Sequence, residues 1–370
     1  MKNVAVIFGG TSVEHDISIL TGVMILNSID KSQFNAIPVY IDKEGVFYTG
    51  ENLFDIDFYK NLDVKSLKPI TFIGGQNAFY YIKRSKLKRG ESLAVALNCT
   101  HGEYGEDGSV SALMKLCGIS LASPSILCSA LSIDKHVCKY ALRGIGVKTL
   151  ASYRVKSLQD FFDLEKSQTL KYPIIVKPNS GGSSIGISKA KTKEDAPLAI
   201  LNALKYGESA QIERALNDFI EINCSAYRDS NGKVIVSLCE RPIKSANILT
   251  FEDKYQGGQR EFPANVEEEI SKKIQSITKK VYECFDFEGI IRIDFMVTEN
   301  EVYLNEINGV PGSLAYYLHT NTLKEFSKVL TEVLKGAISR DLYKTNVIKK
   351  FDTKVLFGFG SKGSKHLKKE

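Results

Sequence analysis

The sequence predicts an α/β fold of two or three domains. At 370 residues the chain is longer than one ordinary hydrophobic core requires. It opens with the strand NVAVIF, a Gly9-Gly10 turn and a helical period from about Asp16. Two further apolar strands, AVALNCT and YPIIVK, run into the polar glycine-rich loops HGEYGEDG and PNSGGSSIG. Since open α/β sheets bind ligands at the carboxyl ends of their strands, both loops are candidate ligand sites.

The composition is that of a soluble globular protein, with 43% hydrophobic and 25% charged residues. No apolar run reaches the ~18 residues of a membrane span, and MKNVAVIFGG begins as a strand without a signal-peptide layout. The seven cysteines are scattered without a C-x-x-C pair, which indicates neither a disulfide framework nor a zinc site. We therefore expect a cytoplasmic protein with no membrane partner.

The net charge of +6 is concentrated at the C-terminus. From Lys349 onwards there are seven lysines against Asp352 and Glu370, which leaves a net charge of +1 for the preceding residues. We expect no nucleic-acid partner, and interpret residues 346–370 as a solvated basic tail, with a polyanion-binding arm as the alternative.

The second half of the chain predicts a further α/β part. Val266 to Phe285 has a helical pattern, and CSALSIDKHVCKYALRGIGV is typical of one helix closed by glycines. Strands are predicted near 209–213, 219–227 and 233–239, the last two joined by an Asn231-Gly232 turn.

A predicted hairpin follows, with strands IIRIDFMV and VYLNEIN joined by a turn at Thr298 to Glu301. Side chains alternate along a strand, so Val302, Leu304, Glu306 and Asn308 are expected on one face. A three-residue loop would place Asp294 opposite Glu306 and Arg292 opposite Asn308, whereas a four-residue loop would make them diagonal neighbours.

The carboxylates of this hairpin favour a cation. Asp294 and Glu306 would repel each other across the strands, and carboxylate and amide oxygens are hard ligands suited to magnesium. The alternative is a polar strand end with a charge pair to Arg292.

The loop IVKPNSGGSSIGIS combines a lysine with small residues. Its glycines and serines let backbone N–H groups approach an anion, and Lys177 adds a positive charge. Because the lysine precedes the glycines, this is not a Walker loop. It indicates another kind of phosphate cover, with a flexible surface loop as the alternative.

Taken together, these motifs resemble the ATP-grasp ligases, and more narrowly the D-alanine:D-alanine ligases, over about residues 1–340. The segments that carry the resemblance are FGGTSVEHDISI (8–19), HGEYGEDG (101–108), SALSIDK (129–135), VKPNSGGSSIG (176–186), IERALNDFIEINCS (212–225), FEDKY (251–255), RIDF (292–295) and NEINGVPGSL (305–314). The resemblance implies a Rossmann-like N-terminal domain (1–123) and a two-lobed ATP-grasp domain, with a central lobe (124–212) and a C-terminal lobe (213–345) that holds the magnesium and catalytic residues.

The resemblance also implies ligands for ATP and two Mg²⁺ ions, with Mn²⁺ as an alternative metal. The implied metal ligands are Asp294, Glu306 and Asn308. The implied ATP-binding residues are Lys135, Lys177, Ser183, Ser184, Glu213, Glu221 and Lys254.

The implied catalytic residues are Glu14, Ser183, Tyr255, Arg292 and Gly312, and the implied substrate-binding residues are Glu14, His101 and Ser313. On local grounds alone, Glu14 is equally a helix-start acid favoured by the helix dipole, and His101 a structurally satisfied histidine. The reaction implied is ATP-dependent ligation of two D-alanines through an acyl phosphate for peptidoglycan precursor synthesis, by a homodimer.

Two positions depart from the family pattern. Ser111-Ala112 stand where glutamine-glycine is usual, and Tyr317 stands where a serine holds the carboxylate of the second substrate. Either Ser313 takes over that contact, or the acceptor is another D-amino acid or a D-hydroxy acid. A module that only binds ATP or nucleic acid is the alternative from a different functional class.

Overall fold

The computed structural model describes residues 1–243, 259–344, 348 and 353–359. Its strands form three large sheets that follow one another along the chain, and a two-stranded ribbon. The mixed architecture confirms the predicted α/β class. Within the described part of the chain, no helix is both long and apolar enough to span a bilayer.

The first sheet has eight strands in the order β6-β5-β4-β3-β2-β1-β7-β8. The central pairs β2-β1, β1-β7 and β7-β8 are parallel, and the pairs from β2 out to β6 are antiparallel. Its strands are β1 (Lys2–Gly9), β2 (Phe34–Ile41), β3 (Phe47–Thr49), β4 (Lys68–Phe72), β5 (Ala78–Lys83), β6 (Lys86–Ser92), β7 (Val95–Asn98) and β8 (Ser120–Leu121). The accompanying helices are α1 (His15–Ser28), α2 (Ile56–Lys60), α3 (Glu103–Glu106) and α4 (Ser109–Cys117), with 3₁₀ turns at Glu51–Phe54 and Val64–Ser66.

The second sheet is antiparallel, in the order β11-β10-β12-β9. It comprises β9 (Ser152–Val155), β10 (Ile174–Pro178), β11 (Ser188–Ala190) and β12 (Ala210–Arg214), with α7 (Leu158–Lys166) and α8 (Ala196–Ala203). These helices pack their apolar faces on the sheet around Val176 and Ile212.

The third sheet is also antiparallel, in the order β14-β13-β17-β18. It comprises β13 (Ile220–Arg228), β14 (Val234–Val236), β17 (Ile290–Val297) and β18 (Val302–Asn308), and α9 (Glu268–Cys284) covers one face. A ribbon of β15 (Arg241–Pro242) and β16 (Arg260–Glu261) lies beside it. The domain boundaries expected from the sequence stay a prediction.

The last long helix returns to the first sheet. After a 3₁₀ turn (Gly312–Ala315) and the short α10 (Tyr316–His319), α11 (Leu323–Lys344) places Phe326, Leu330 and Leu334 in one core with Val6 and Phe8. A further 3₁₀ turn spans Val355–Gly358.

The single helix predicted around residues 128–147 is wrong. The structure has α5 (Ile126–Ile133) and α6 (Lys135–Gly144), separated at Asp134. Asp134 is extended, and its carboxylate accepts a hydrogen bond from the Val137 amide at 2.9 Å. It thus caps a new helix, because an aspartate at this position satisfies an amide that has no partner within the helix.

The hairpin contains a β-bulge that the sequence analysis did not predict. The loop between Val297 and Val302 has four residues, and Phe295 pairs with Leu304, but Asp294 pairs with Glu306. One extra residue, Asn305, therefore lies on β18. Because of it, Asp294 lies directly opposite Glu306 and Arg292 opposite Asn308, the pairing that was expected for a three-residue loop.

The bulge also corrects the expected face of the strand. Val302 and Leu304 are buried in the core, whereas Glu306 and Asn308 lie opposite Asp294 and Arg292 on the other face. The expectation that all four β18 side chains share a face is wrong, because an inserted residue shifts a strand of period two by one position.

Candidate active site

A cleft of about 430 Å³ lies where loops and strands of the three sheets meet. It is lined by thirteen of the predicted site residues: Glu14, His101, Lys135, Lys177, Ser183, Ser184, Glu221, Arg292, Asp294, Glu306, Asn308, Gly312 and Ser313. Glu213 is buried directly behind Lys177. Lys254 and Tyr255 lie outside the described residues.

Arg292 and Asp294 form a two-pronged ion pair at the floor of the cleft. Arg292 Nε and Nη2 donate to the two Asp294 oxygens at 2.7 and 2.9 Å. Asn308 Nδ2 donates to Asp294 Oδ2 at 3.0 Å. Burial opposes the charge of Arg292, but the Asp294 carboxylate and the Tyr317 hydroxyl together more than offset this and raise the pKa of the guanidinium. Arg292 is therefore a fixed positive charge in the cleft.

The chemistry of this face fits magnesium. Asp294 and Glu306 are direct cross-strand neighbours and both line the cleft beside Asn308, so three side chains can offer hard oxygen ligands. Across the described ranges 1–243 and 259–344, with 348 and 353–359, no three His, Cys, Asp or Glu side chains are grouped as a metal site. The set is thus two carboxylates and an amide, which matches an ion completed by water or phosphate oxygens.

A buried carboxylate joins two lysines behind the cleft. Glu213 Oε1 pairs with Lys139 and Oε2 with Lys177 at 3.0 Å. Burial alone would raise the pKa of Glu213, but the two ammonium groups lower it to about 2. Burial lowers the pKa of Lys139 to about 8, against the opposing effect of Glu213. Sequence analysis missed Lys139, although its position four residues after Lys135 places both on one side of α6.

The glycine-serine loop contacts the start of α1. Ser183 donates a hydrogen bond to the Glu14 carboxylate, and Lys135 donates to the Gly181 carbonyl. Ser183 and Ser184 have left-handed φ values of 52° and 59°, which are uncommon for residues other than glycine. Burial lowers the pKa of Lys135. The loop, the lysine and the glutamate therefore form one wall of the cleft.

His101 lies in a hydrogen-bonded chain rather than at the open surface. Its Nε2 is 3.0 Å from Thr21 Oγ1, which also accepts a hydrogen bond from the Ser313 amide at 3.1 Å. Burial lowers the pKa of His101 to about 4, so the ring is neutral at pH 7. Ser313, Leu314 and Ala315 all have left-handed φ, and the Thr21 contact fixes this strained turn to α1.

Glu106 is a further cleft residue to which sequence analysis gave no role, although it lies within the HGEYGEDG loop. Its carboxylate accepts hydrogen bonds from the Gly102 and Val310 amides at 2.9 and 3.3 Å. Burial, and then the nearby Glu14, raise its pKa to about 7. It ties the loop after β7 to the segment that follows β18.

Arg260, Glu240 and Tyr317 form the far end of the cleft. Arg260 pairs with Glu240 at 3.2 Å, and its guanidinium lies 4.8 Å from the centre of the Tyr317 ring. Tyr317 OH accepts a hydrogen bond from Arg292 Nη1 at 3.3 Å. The sequence analysis identified Tyr317 as a departure from the family pattern, but nothing in the spacing of the residues predicted its contact with Arg260.

The chain is similar to one family along most of its length. Family models described as D-ala D-ala ligase N-terminus and C-terminus match residues 3–124 and 144–333. The D-alanine–D-alanine ligase of Thermosipho melanesiensis is 31% identical over 96% of this chain and 98% of its own length.

Solved structures give the same result. The D-alanine-D-alanine ligase of Helicobacter pylori has a TM-score of 0.76 and 28% identity, over 91% of this chain and 98% of its own. The VanG D-Ala:D-Ser ligase of Enterococcus faecalis has a TM-score of 0.75 and 25% identity, over 92% and 98%.

Proposed function

Because the chain belongs to the D-alanine–D-alanine ligase family, we propose that its cleft joins two D-alanines into D-alanyl-D-alanine while ATP is converted to ADP and phosphate. The family has the ATP-grasp fold, as expected from the sequence. The observation that carries the proposal is the meeting of a lysine-anchored loop, a carboxylate-amide set and Arg292 in one cleft.

The proposed reaction has two steps. A carboxylate oxygen of the first D-alanine attacks the γ-phosphorus of ATP, and ADP leaves, which gives an acyl phosphate. The amine of the second D-alanine then attacks the acyl carbon, loses a proton, and displaces inorganic phosphate. Phosphoryl transfer of this kind depends mainly on positioning and on neutralising charge.

The ATP end of the cleft supplies positive charge. Lys135 and Lys177 are proposed to contact the phosphates, under the cover of Ser183 and Ser184. Glu221 is proposed to contact the ribose, Glu213 to lie beside the adenine pocket, and Lys254 to bind ATP as the resemblance implies. Asp294, Glu306 and Asn308 would hold two Mg²⁺ ions, with Mn²⁺ as the alternative, which when bound neutralise charge on the transferring phosphoryl group.

The amino-acid end combines a carboxylate with hydrogen-bond donors. Glu14 is proposed to hold the ammonium of the first D-alanine, beside the neutral His101. Arg292 and the Gly312 amide are proposed to stabilise the oxyanion of the second step. The Ser183 to Glu14 contact brings the loop over the site, and with Tyr255 it would exclude water, which would otherwise hydrolyse the acyl phosphate.

The family supports a cytoplasmic role in peptidoglycan precursor synthesis, with D-alanine and ATP as small-molecule partners. A homodimer without nucleic-acid or membrane partners is part of the same proposal.

A second candidate keeps the chemistry and changes the acceptor. Tyr317 occupies the place of the family serine at the second-substrate end, and Ser313 donates its amide to Thr21. A similar structure is named as a D-Ala:D-Ser ligase. On this reading the acceptor is another D-amino acid or a D-hydroxy acid.

The test is ADP release from ATP and Mg²⁺ with and without D-alanine, together with detection of the dipeptide. D-Alanine-dependent ADP with an equal amount of D-alanyl-D-alanine is expected. ADP release at the same rate with and without D-alanine would contradict the proposal. Release that requires both D-alanine and a second D-amino or D-hydroxy acid would favour the second candidate.

A further inference from the structure

We propose that Arg260, positioned by Tyr317 and Glu240, binds the carboxylate of the acceptor amino acid. This inference rests on the proposed function and adds a specificity-determining residue to it. The sequence analysis gave no role to Arg260 or to Glu240.

The cations that line the cleft differ in how they are engaged. Lys135 donates to a backbone carbonyl and Lys177 pairs with Glu213. Arg292 uses Nε and Nη2 on Asp294 and Nη1 on Tyr317. Each of these three side chains is already held by a neighbouring group.

Arg260 is engaged through one nitrogen. Its Nη1 donates to Glu240 Oε1 at 3.2 Å and to the Tyr317 carbonyl at 3.3 Å. Its Nε and Nη2 donate no hydrogen bond to a residue within the described ranges, and the side chain is 41% exposed. It therefore has donors for a carboxylate, which a guanidinium binds through paired hydrogen bonds.

Tyr317 connects Arg260 to Arg292, the residue proposed to lie beside the reacting acyl carbon. One tyrosine side chain thus contacts both arginines, Arg292 through its hydroxyl and Arg260 through the face of its ring. In the proposed reaction the acyl oxygen lies at Arg292, so the attacking amine is next to it, and the acceptor's carboxylate is one carbon further along the cleft.

The chemistry leaves only one carboxylate to be recognised. The carboxylate of the first D-alanine becomes the acyl phosphate, and its ammonium is assigned to Glu14. The acceptor keeps its carboxylate throughout. Glu240 is 3% exposed and also contacts Asn223 Nδ2 at 3.3 Å, so it holds the arginine in place before the substrate arrives.

Arg260→Gln is the central test, with two acceptors. Wild type and variant are assayed with Mg²⁺ and ATP for dipeptide formation over a range of D-alanine, and for D-alanine hydroxamate with hydroxylamine. Hydroxylamine has no carboxylate and captures the acyl phosphate directly. We expect the acceptor KM for D-alanine to rise about 10-fold to 100-fold, with hydroxamate formation and the KM for ATP within about twofold of wild type.

Three further variants separate binding from structure. Arg260→Lys keeps the charge and should show a smaller rise in acceptor KM. Arg260→Gln alone leaves the Glu240 carboxylate buried without its arginine, whereas Arg260→Gln/Glu240→Gln removes that charge as well. The double variant should show the same rise in acceptor KM as the single variant. Arg241→Gln removes an arginine from the same ribbon, paired with Glu261 at 3.6 Å but outside the cleft, and should leave both products unchanged.

An unchanged acceptor KM in Arg260→Gln would overturn the inference, as would an equal fall of dipeptide and hydroxamate. If wild type forms hydroxamate but no dipeptide, the second D-alanine is wrong, and the same variants are assayed with D-serine and D-lactate. If wild type forms neither product, the proposed function fails and the inference fails with it.

Discussion

Three charged side chains form a row that begins at the cleft with Lys177 and continues inwards through Glu213 to Lys139. Within the described residues, Glu213 is the one carboxylate paired with both ammonium groups, and Lys139 and Glu213 are 1% and 3% exposed. Removing one partner of a buried pair leaves an uncompensated charge, which costs more than the pair contributes. In the proposed reaction the triphosphate draws Lys177 toward the cleft, so Lys139 is the partner that keeps Glu213 neutralised.

Lys139→Met should lower the free energy of unfolding by about 1.5 to 3 kcal/mol, because Glu213 loses one charged hydrogen-bond partner but keeps Lys177 at 3.0 Å. Lys139→Met/Glu213→Gln should not recover this loss, since Lys177 then lacks its carboxylate partner. Denaturant unfolding of the two variants and wild type measures both effects. Equal stability of Lys139→Met and wild type would contradict the assignment.

Glu106 should make stability depend on pH. Its pKa rises from 4.5 to about 7 on folding, so the folded protein keeps a proton that the unfolded chain releases between these values. The free energy of unfolding therefore falls as pH rises from about 4.5 to 7. Relative to wild type, Glu106→Gln should gain about 3 kcal/mol across this range.

The measurement is denaturant unfolding at several pH values. Glu103→Gln is the matched control, because Glu103 is an exposed acid on the same short helix. A constant difference between Glu106→Gln and wild type from pH 4.5 to 7 would contradict the raised pKa of Glu106.

At the scale of elements, the bulge at Asn305 separates the core-facing residues of β18 from those that carry the chemistry. N-terminal to it Val302 and Leu304 enter the core, and C-terminal to it Glu306 and Asn308 face the cleft. Asn305 also accepts a hydrogen bond from Lys177 at 3.4 Å. One residue thus joins the third sheet to the lysine of the second.

Deleting Asn305 should leave a regular hairpin with the same two faces. Leu304 and Glu306 then follow each other directly, so alternation keeps Leu304 in the core and Glu306 in the cleft, paired with Phe295 and Asp294 as before. The deletion removes the contact between Asn305 and Lys177, so we expect ligase activity to fall while the melting temperature stays within roughly 5 °C of wild type. Deleting Asn300 shortens only the hairpin loop and is the control. An Asn305 deletion that fails to fold would contradict this account of the strand register.

Local signals in the sequence predicted most of the elements and ligand groups. The hairpin strands, the glycine-serine loop and Lys177 follow from alternation, turn residues and charge. The break at Asp134 had a readable signal, the preference of aspartate for helix starts, which the apolar period around it obscured. The bulge had none, because strand register is set by pairing between distant segments. Lys139 shares one side of α6 with Lys135, but its partner Glu213, like the partners of Arg260, is set by tertiary contacts that no local spacing specifies.

At the scale of the whole molecule, the cleft belongs to no single sheet. Glu14 precedes α1, the helix that follows the first strand of the first sheet, Lys177 lies on the second sheet, and Asp294 and Glu306 lie on the third. A ligand that contacts all three should stabilise the folded chain, since binding to the native state alone raises its stability by RT ln(1 + [L]/Kd).

A non-hydrolysable ATP analogue with Mg²⁺ at about 100 times its Kd should add about 2.7 kcal/mol of stability, seen as a higher melting temperature. Asp294→Asn should lose the part of the shift that needs Mg²⁺ and keep the part seen with the analogue alone. Turnover by Asp294→Asn should fall by at least about 100-fold. An undiminished Mg²⁺-dependent shift or normal turnover in the variant would contradict the metal assignment.

The return of α11 to the first sheet gives the chain an order of assembly. The apolar residues of β1 and β7 share a core with Phe326 and Leu330, which are synthesised more than two hundred residues after β7. Until then the nascent N-terminal sheet has one face without its native cover, a state that favours aggregation and chaperone binding. A chain released before Leu323 should therefore be recovered mainly in inclusion bodies, whereas the full chain stays in the supernatant.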